Sequence, residues 1–220
     1  MTSPGNETVR DDLLNRYRML RAINMEHQNA VVGMLSKPVI LGHMRRLGLA
    51  RGSHLLVEQD EVLTLGFDLA VYTASNGRSS GLDRYVRTPA FAAGSDEALV
   101  LDAMTRARFS IWQVERLHEQ TGLIVHDVLR ETEAWLIDEH LQASIEPGMS
   151  FAARLFEPEP FCMTCGVVVP VDTELLAEVS KDELAWRRGD GFSVGADPRF
   201  ATAIYRTAIE HGFMDDVSFL

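Results

Sequence analysis

Residues 109–172 decide the fold, because they contain five short apolar runs separated by residues that favour turns. The runs are FSIWQVERL (109–117), GLIVHDVLR (122–130), AWLID (134–138), FAARLF (151–156) and FCMTCGVVV (161–169). Proline-containing segments lie between the later runs, at 146–148 and 157–160, and proline is excluded from central strands because it lacks an amide donor. The pattern therefore predicts an antiparallel sheet that curls into a small β-barrel or a meander.

Helical patterns flank the predicted sheet on both sides, since their apolar residues recur at spacings of three and four. The helices are predicted over 11–35, 37–48, 60–74, 99–107, 173–184 and 198–211. The predicted fold class is α+β. It has an N-terminal helical layer over 1–107, a small antiparallel β-barrel or meander over 108–172 and C-terminal helices over 173–220.

Composition limits the classes of function. Apolar residues make up 46% of the 220 residues, which is enough for a substantial core. Lysine and arginine number 21 against 32 acidic residues, and the net charge of −11 disfavours a nucleic-acid partner. No signal peptide or membrane-spanning stretch is visible, and two cysteines cannot form a disulfide framework. These features predict a cytoplasmic protein that does not enter a membrane.

The region from about Ser95 to Asp172 resembles a pattern seen in uncharacterised bacterial proteins. The resemblance rests on the segment Ala107–Val114, the strand Gly122–Leu129 and the turn at Pro147–Gly148 before Ala153-Arg154. The earlier segment 47–72 also resembles stand-alone members of such a group. Similar barrel segments occur beside SEC-C zinc motifs, which this chain lacks because it has only two cysteines. The resemblance implies a small barrel and no known activity, so it supplies no catalytic residue.

Cys162 and Cys165 are the first candidates for chemistry. Two thiols at this spacing can form half of a tetrahedral zinc site or act as a redox pair. Both lie inside a predicted strand, however, where residues three apart point to opposite faces. Burial in the core, where a free cysteine behaves as a small apolar residue, is therefore the favoured interpretation.

His126 and His140 are the second candidates. If their segments form neighbouring strands, Asp138 and His140 share one face and His126 lies opposite, which gives a ligand set for zinc or iron. The alternative is an ordinary acidic turn, with Asp127 accepting hydrogen bonds from backbone amides at the end of a strand.

Large side chains of the predicted barrel have two possible roles. They either fill its interior or line a cavity for one small ligand, and the sequence leaves both alternatives open. The residues concerned are Trp112, Trp135, Phe151, Phe156 and Met163.

The first two helices could pass for a helix-turn-helix, since Arg45, Arg46 and Arg51 follow a short break at 36–38. The second helix offers mainly apolar side chains, which favours core packing over base recognition. Arginines in its last turn also suit the helix dipole.

No assembled catalytic constellation is present, and no Gly-x-Ser-x-Gly elbow occurs. We therefore expect a non-enzymatic binding or protein-interaction module with a protein partner and no cofactor. The first alternative is a metal- or thiol-dependent enzyme that uses Cys162 and Cys165, with zinc held by these and by His126 and His140. The second is a DNA-binding regulator that uses the N-terminal helices. The oligomeric state stays open.

Overall fold

A computed structural model describes residues 4–57, 59–74, 79–88, 90–182, 194–195 and 197–212. The N-terminal half is helical. Its elements are α1 (Pro4–Met34), α2 (Lys37–Arg46), β1 (Ala50–Arg51), β2 (His54–Leu55), α3 (Asp60–Tyr72), α4 (Gly81–Tyr85) and α5 (Asp96–Thr105). The sheet and the C-terminal helices follow as β3 (Arg108–Leu117), β4 (Leu123–Asp127), β5 (Thr132–Leu136), α6 (Glu139–Ser144), β6 (Ser150–Phe156), β7 (Met163–Val171), α7 (Thr173–Asp182) and α8 (Pro198–Glu210).

The helix starts follow the capping residues of the sequence. Pro38 lies in the first turn of α2, where its missing amide costs no hydrogen bond. Ser95 caps α5 by accepting a hydrogen bond from the Ala98 amide at 3.3 Å. Asp197 caps α8 in the same way, through the Arg199 amide at 2.9 Å. The predicted α+β class, with helices before and after a central antiparallel sheet, is confirmed.

The five strands form one antiparallel sheet in the order β5-β4-β3-β6-β7. Strand β3 is central. Strands β4 and β5 continue from it as a meander on one side, and the hairpin β6-β7 pairs with it on the other side. Register shifts occur in β3 between Val114 and Arg116 and in β6 between Ala153 and Leu155. Such irregularities increase local twist, and they favour curling of the sheet.

A closed barrel does not form, so that alternative of the prediction is wrong. The two edge strands approach at a single bridge between Leu136 and Cys162. There the amide of Cys162 donates to the carbonyl of Trp135 at 2.6 Å, and the amide of Ile137 donates to the carbonyl of Cys162 at 3.0 Å. At Asp138 the chain turns into α6, so β5 ends before a ladder with β7 can form.

The curled sheet has a different core on each face. The interior cluster, which fills the concave face, contains Trp112, Val114, Leu123, Val125, Leu136, Leu141, Phe151, Ala153, Leu155 and Cys162. The convex face packs against helices in two further clusters. One of these contains Leu41, Phe109 and Phe200, which come from all three predicted regions of the chain.

Two short elements differ from the expectation. The first is the small hairpin β1-β2, which pairs Ala50 with Leu55 and Arg51 with His54 and which the sequence analysis does not predict. The segment after Asp138, expected to continue as a strand, is helix α6. The helix predicted over 198–211 is confirmed as α8, whereas residues 183–184 of the helix predicted over 173–184 lie outside the described residues. Among the residues described, no helix combines the length and the apolar character needed to cross a bilayer.

Candidate functional site

The two cysteines lie on opposite faces of the sheet. Cys162 packs in the interior cluster, whereas Cys165 in β7 packs against the helices on the convex face. Both are free, buried thiols. Burial raises the pKa of each thiol to about 12, so both stay protonated at neutral pH. The alternation of a strand explains why residues three apart diverge.

His126 and His140 lie in two different elements. His126 is in β4 opposite Glu133 of β5, and His140 is in the first turn of α6. The expectation that residues 138 and 140 share a strand face is wrong, because the Asp138 carboxylate accepts from the Leu141 amide and caps α6. Within the described ranges, no three His, Cys, Asp or Glu side chains are grouped so that they could hold a metal ion.

Asp127 has the backbone role that the sequence predicts for it. Its carboxylate accepts from the amides of Leu129 at 3.1 Å and Arg130 at 3.2 Å. It also accepts from the Ser110 hydroxyl and from the Arg130 guanidinium at 3.2 Å. Since the side chain is fully buried, these bonds satisfy a carboxylate that would otherwise be costly to bury.

The second helix packs into the core, as its apolar pattern predicts. Leu41, Met44 and Leu47 are buried in the cluster beneath α2 and α3. Arg45 and Arg46 are exposed at the end of α2, and the Nε of Arg45 donates to the Leu41 carbonyl at 3.2 Å. This placement matches the expected interaction of arginines with the C-terminal end of a helix.

Large side chains fill the concave interior of the sheet. Trp112 and Phe151 are essentially inaccessible to solvent, and the indole of Trp112 donates to the Ala153 carbonyl at 3.1 Å. Phe156 and Met163 are buried in a convex-face cluster with the helices, and the half-buried Trp135 packs against that cluster. The structure therefore supports the filling alternative for Trp112 and Phe151, and any ligand would have to lie at an end of the curled sheet.

One end of the curled sheet opens into a cleft of about 380 Å³, which we call the terminal cleft. Its lining residues are Arg106, Arg108, Leu155, Phe156, Glu157, Glu159 and Cys162. The cleft forms where β3 begins and β6 ends, since Arg108 pairs with Leu155 in the register of these strands. Two interior side chains, Leu155 and Cys162, close its inner end.

Two of the four charged residues at the terminal cleft are already paired. Arg106 pairs with Asp102 one turn earlier in α5. Glu159 accepts from Arg16 of α1, with its Oε1 at 3.0 Å from Nε and 2.6 Å from Nη2. The same guanidinium contacts Asp96 at 2.7 Å and, chiefly through that hydrogen bond, lowers the pKa of the Asp96 carboxyl.

The other two charges have no such partner. Across the part of the chain that the structure describes, the side chains of Arg108 and Glu157 make no hydrogen bond or ion pair. The guanidinium carbon of Arg108 lies 5.8 Å from the centre of the Trp112 ring. Both charges act on the Cys162 thiol: after burial, Glu157 raises its pKa and Arg108 lowers it. All three residues line the terminal cleft.

A second polar cluster lies away from the terminal cleft, between α3, β6 and α8. Arg154 forms an ion pair with Asp68, and the Tyr205 hydroxyl donates to the same carboxylate at 3.1 Å. The Arg154 guanidinium also stacks over Tyr72, 4.6 Å from the ring centre. Burial raises the pKa of Tyr205, which keeps its hydroxyl a donor. All these groups are enclosed by the core, and we assign the cluster a structural role.

The sequence contains a signal for the terminal cleft that the analysis of motifs missed. Arg106 and Arg108 lie at the junction of α5 and β3, and Glu157 and Glu159 lie in the segment that follows β6. Two like charges two residues apart therefore border each of two neighbouring strands. Only the register of β3 with β6 brings the basic pair next to the acidic pair, and the sequence alone does not supply that register.

Comparison with known proteins places the chain in a family without assigning an activity. No curated protein and no solved structure matches the chain at a significant level. The sequence profile of DUF7986, described as a family of unknown function, matches residues 11–181, which include the whole curled sheet and every residue that lines the terminal cleft. The chain therefore belongs to this uncharacterised family, DUF7986.

Proposed function

We propose that this chain is a non-enzymatic binding module whose ligand occupies the terminal cleft. One observation carries the proposal: the cleft has two charged side chains, Arg108 and Glu157, that the described residues leave without a hydrogen-bonding partner. Charged groups that do not serve the fold are available to a ligand. They lie beside a concave space, which is where binding sites for small molecules occur.

The size and lining of the terminal cleft favour a small ligand. A volume of about 380 Å³ lies at the lower end of the range for sites that hold organic molecules. Because Trp112 and Phe151 fill the interior of the sheet, the ligand would stop at Leu155 and Cys162 and would not enter further. Those two residues would contact its apolar portion, and the charged rim would contact its polar groups.

The chemistry of the thiol favours reversible binding over covalent catalysis. Cys162 is the one nucleophile among the lining residues, and its pKa of about 12 keeps it protonated at neutral pH. The thiolate is the reactive form of cysteine, so this thiol is a poor nucleophile. In the proposed site it contributes an apolar surface.

The proposal also covers the cellular location of the protein, its protein partner and its origin. Two free, buried cysteines suit a reducing compartment, which supports a cytoplasmic location. The net charge of −11 suits a protein partner with a basic surface. We also retain the proposals of a bacterial origin and of kinship with the barrel segments found beside SEC-C motifs.

A titration followed by two-dimensional amide NMR of the full chain tests the binding site. The probes are single compounds added in turn: sodium acetate, sodium phosphate, methylammonium chloride, glucose and each standard L-amino acid. We expect at least one probe to shift the amide signals of residues 106–108 and 155–157 in a saturable way. Arg108→Ala should weaken that binding, because it removes an available charge from the rim of the cleft.

Arg116→Ala is the matched control, since Arg116 is an exposed arginine in the same strand and does not line the terminal cleft. This variant should bind the probe as the parent chain does. The proposal is wrong if no probe shifts the cleft amides, or if both variants bind equally well.

A further inference from the structure

The unpaired charges of the terminal cleft are of opposite sign. Arg106 and Glu159 are engaged by Asp102 and Arg16, which leaves Arg108 as the available cation and Glu157 as the available anion. A ligand that carried one negative charge would satisfy Arg108 and approach an unpaired carboxylate. A ligand that carried one positive charge would have the converse problem. The charges therefore match a ligand that carries both signs.

Arg108 is suited to a carboxylate. Its guanidinium stays charged at every physiological pH and presents N–H groups in a fork that matches two carboxylate oxygens. Contact with the Trp112 ring at 5.8 Å limits the conformations of the side chain without using its hydrogen-bond donors. The donors thus remain free for a ligand, within the part of the chain that the structure describes.

Glu157 is suited to an ammonium group. It is the first residue after β6, and it is exposed at the rim of the terminal cleft. Arg108 pairs with Leu155, and Glu157 follows two residues after Leu155, just beyond the end of β6. Both charged residues line the terminal cleft, whose volume of about 380 Å³ has room for a small molecule.

We propose that the ligand of the terminal cleft is a zwitterion, an α-amino acid or a very short peptide. Its carboxylate would pair with Arg108 and its ammonium group with Glu157, while its side chain would lie against Leu155 and Cys162. This inference rests on the proposed function, because it specifies the ligand of the same cleft.

A series of blocked ligands tests the requirement for both charges. The amino acid with the largest effect on the cleft amides is compared by calorimetry with its N-acetyl derivative, which lacks the ammonium group, and with its amide, which lacks the carboxylate. We expect each blocked compound to bind at least about tenfold more weakly, since each loses a hydrogen-bonded charge pair.

Two variants assign each charge to its residue. Arg108→Ala should weaken binding of the free amino acid and abolish its advantage over the amide. Glu157→Gln should abolish its advantage over the N-acetyl derivative and leave the preference over the amide. Glu115→Gln in β3 is the matched control, because Glu115 is exposed and lies outside the lining residues.

Two results separate this inference from the proposed function. If acetate, phosphate or a blocked compound binds at the cleft as tightly as the free amino acid, the zwitterion inference is wrong and the binding site stands. If none of the amino acids or simple ions shifts the cleft amides, both are wrong.

Discussion

The buried ion pair between Asp68 and Arg154 provides the sharpest test of how this core is held together. Arg154 Nε lies 3.3 Å from Asp68 Oδ1, and Nη2 lies 3.3 Å from Oδ2, so the pair is bidentate. The two side chains are only 9% and 3% exposed, and little water can replace a lost partner. Asp68→Asn removes the negative charge and keeps the shape. The guanidinium is then left in the core with nothing to balance it.

The size of the expected loss follows from burial and distance. At about 4 Å and an effective dielectric constant of about 20, two unit charges attract by about 4 kcal/mol. Removal of one partner of a buried pair costs about 3–5 kcal/mol in measured cases, because the remaining charge stays desolvated. We expect Asp68→Asn to lower the free energy of unfolding by an amount in this range. Tyr205→Phe, which removes the hydroxyl donor to Asp68, should cost about 1.5–3 kcal/mol.

Urea denaturation followed by circular dichroism measures both variants. Arg154→Met, alone and with Asp68→Asn, completes a double-mutant cycle. The double variant should be more stable than the sum of the single losses predicts, by roughly 1–3 kcal/mol, because it leaves no unpaired buried charge. A loss below about 1 kcal/mol for Asp68→Asn, or strict additivity in the cycle, would refute this reasoning.

Three other predictions concern pH, backbone conformation and thiols. Burial lowers the pKa of His43 from 6.5 to about 4, so the unfolded chain takes up a proton first as the pH falls. Protonation of His43 in the unfolded chain should therefore lower the free energy of unfolding by about 2 kcal/mol between pH 8 and pH 5, as measured by urea denaturation at the two pH values. His43→Leu should remove that contribution. Gly122→Ala should destabilise the fold by more than about 2 kcal/mol in the same assay, since its φ is +84° and an added Cβ would lie 2.3 Å from the Leu136 carbonyl oxygen. Cys162 and Cys165 should react with a disulfide reagent only on unfolding, because burial keeps both protonated and shielded.

One control variant and two contradicting results test these three predictions. For Gly122→Ala the control is Gly33→Ala in α1, where no atom lies within 4 Å of the added Cβ and alanine favours the helix by up to about 1 kcal/mol. The histidine argument is contradicted if parent and His43→Leu lose stability equally on acidification. Rapid reaction of both thiols in the folded chain would contradict the burial of the two cysteines.

Local signals in the sequence were sufficient for most of the elements. Periodicity located the helices that Ser95 and Asp197 cap, because the apolar residues of each helix recur at spacings of three and four within the helix itself. Helix α6 was missed because its cap, Asp138, directly follows an apolar run that continues a strand pattern. Where the neighbouring residues fit either a strand or a helix, tertiary contacts determine which of the two a short segment forms. Here the Thr164 hydroxyl of β7 also donates to the Asp138 carboxylate.

Closure of the sheet and the terminal cleft depend on long-range register. The edge strands meet through the hydrogen bond from the Cys162 amide to the Trp135 carbonyl. These two residues are far apart in sequence, so no local pattern predicts the bond. The same holds for Arg108 and Glu157, which are far apart in sequence and become neighbours through the pairing of β3 with β6. By contrast, the divergence of the cysteines follows from strand alternation alone, and the sequence analysis anticipated it.

Co-crystallisation with the tightest-binding amino acid tests the central claim most directly. We expect ligand density in the terminal cleft, with the carboxylate within hydrogen-bond distance of the Arg108 guanidinium and the ammonium group facing Glu157. Ligand density at any other place on the chain, with the terminal cleft occupied by water alone, would contradict the assignment of this cleft as the binding site.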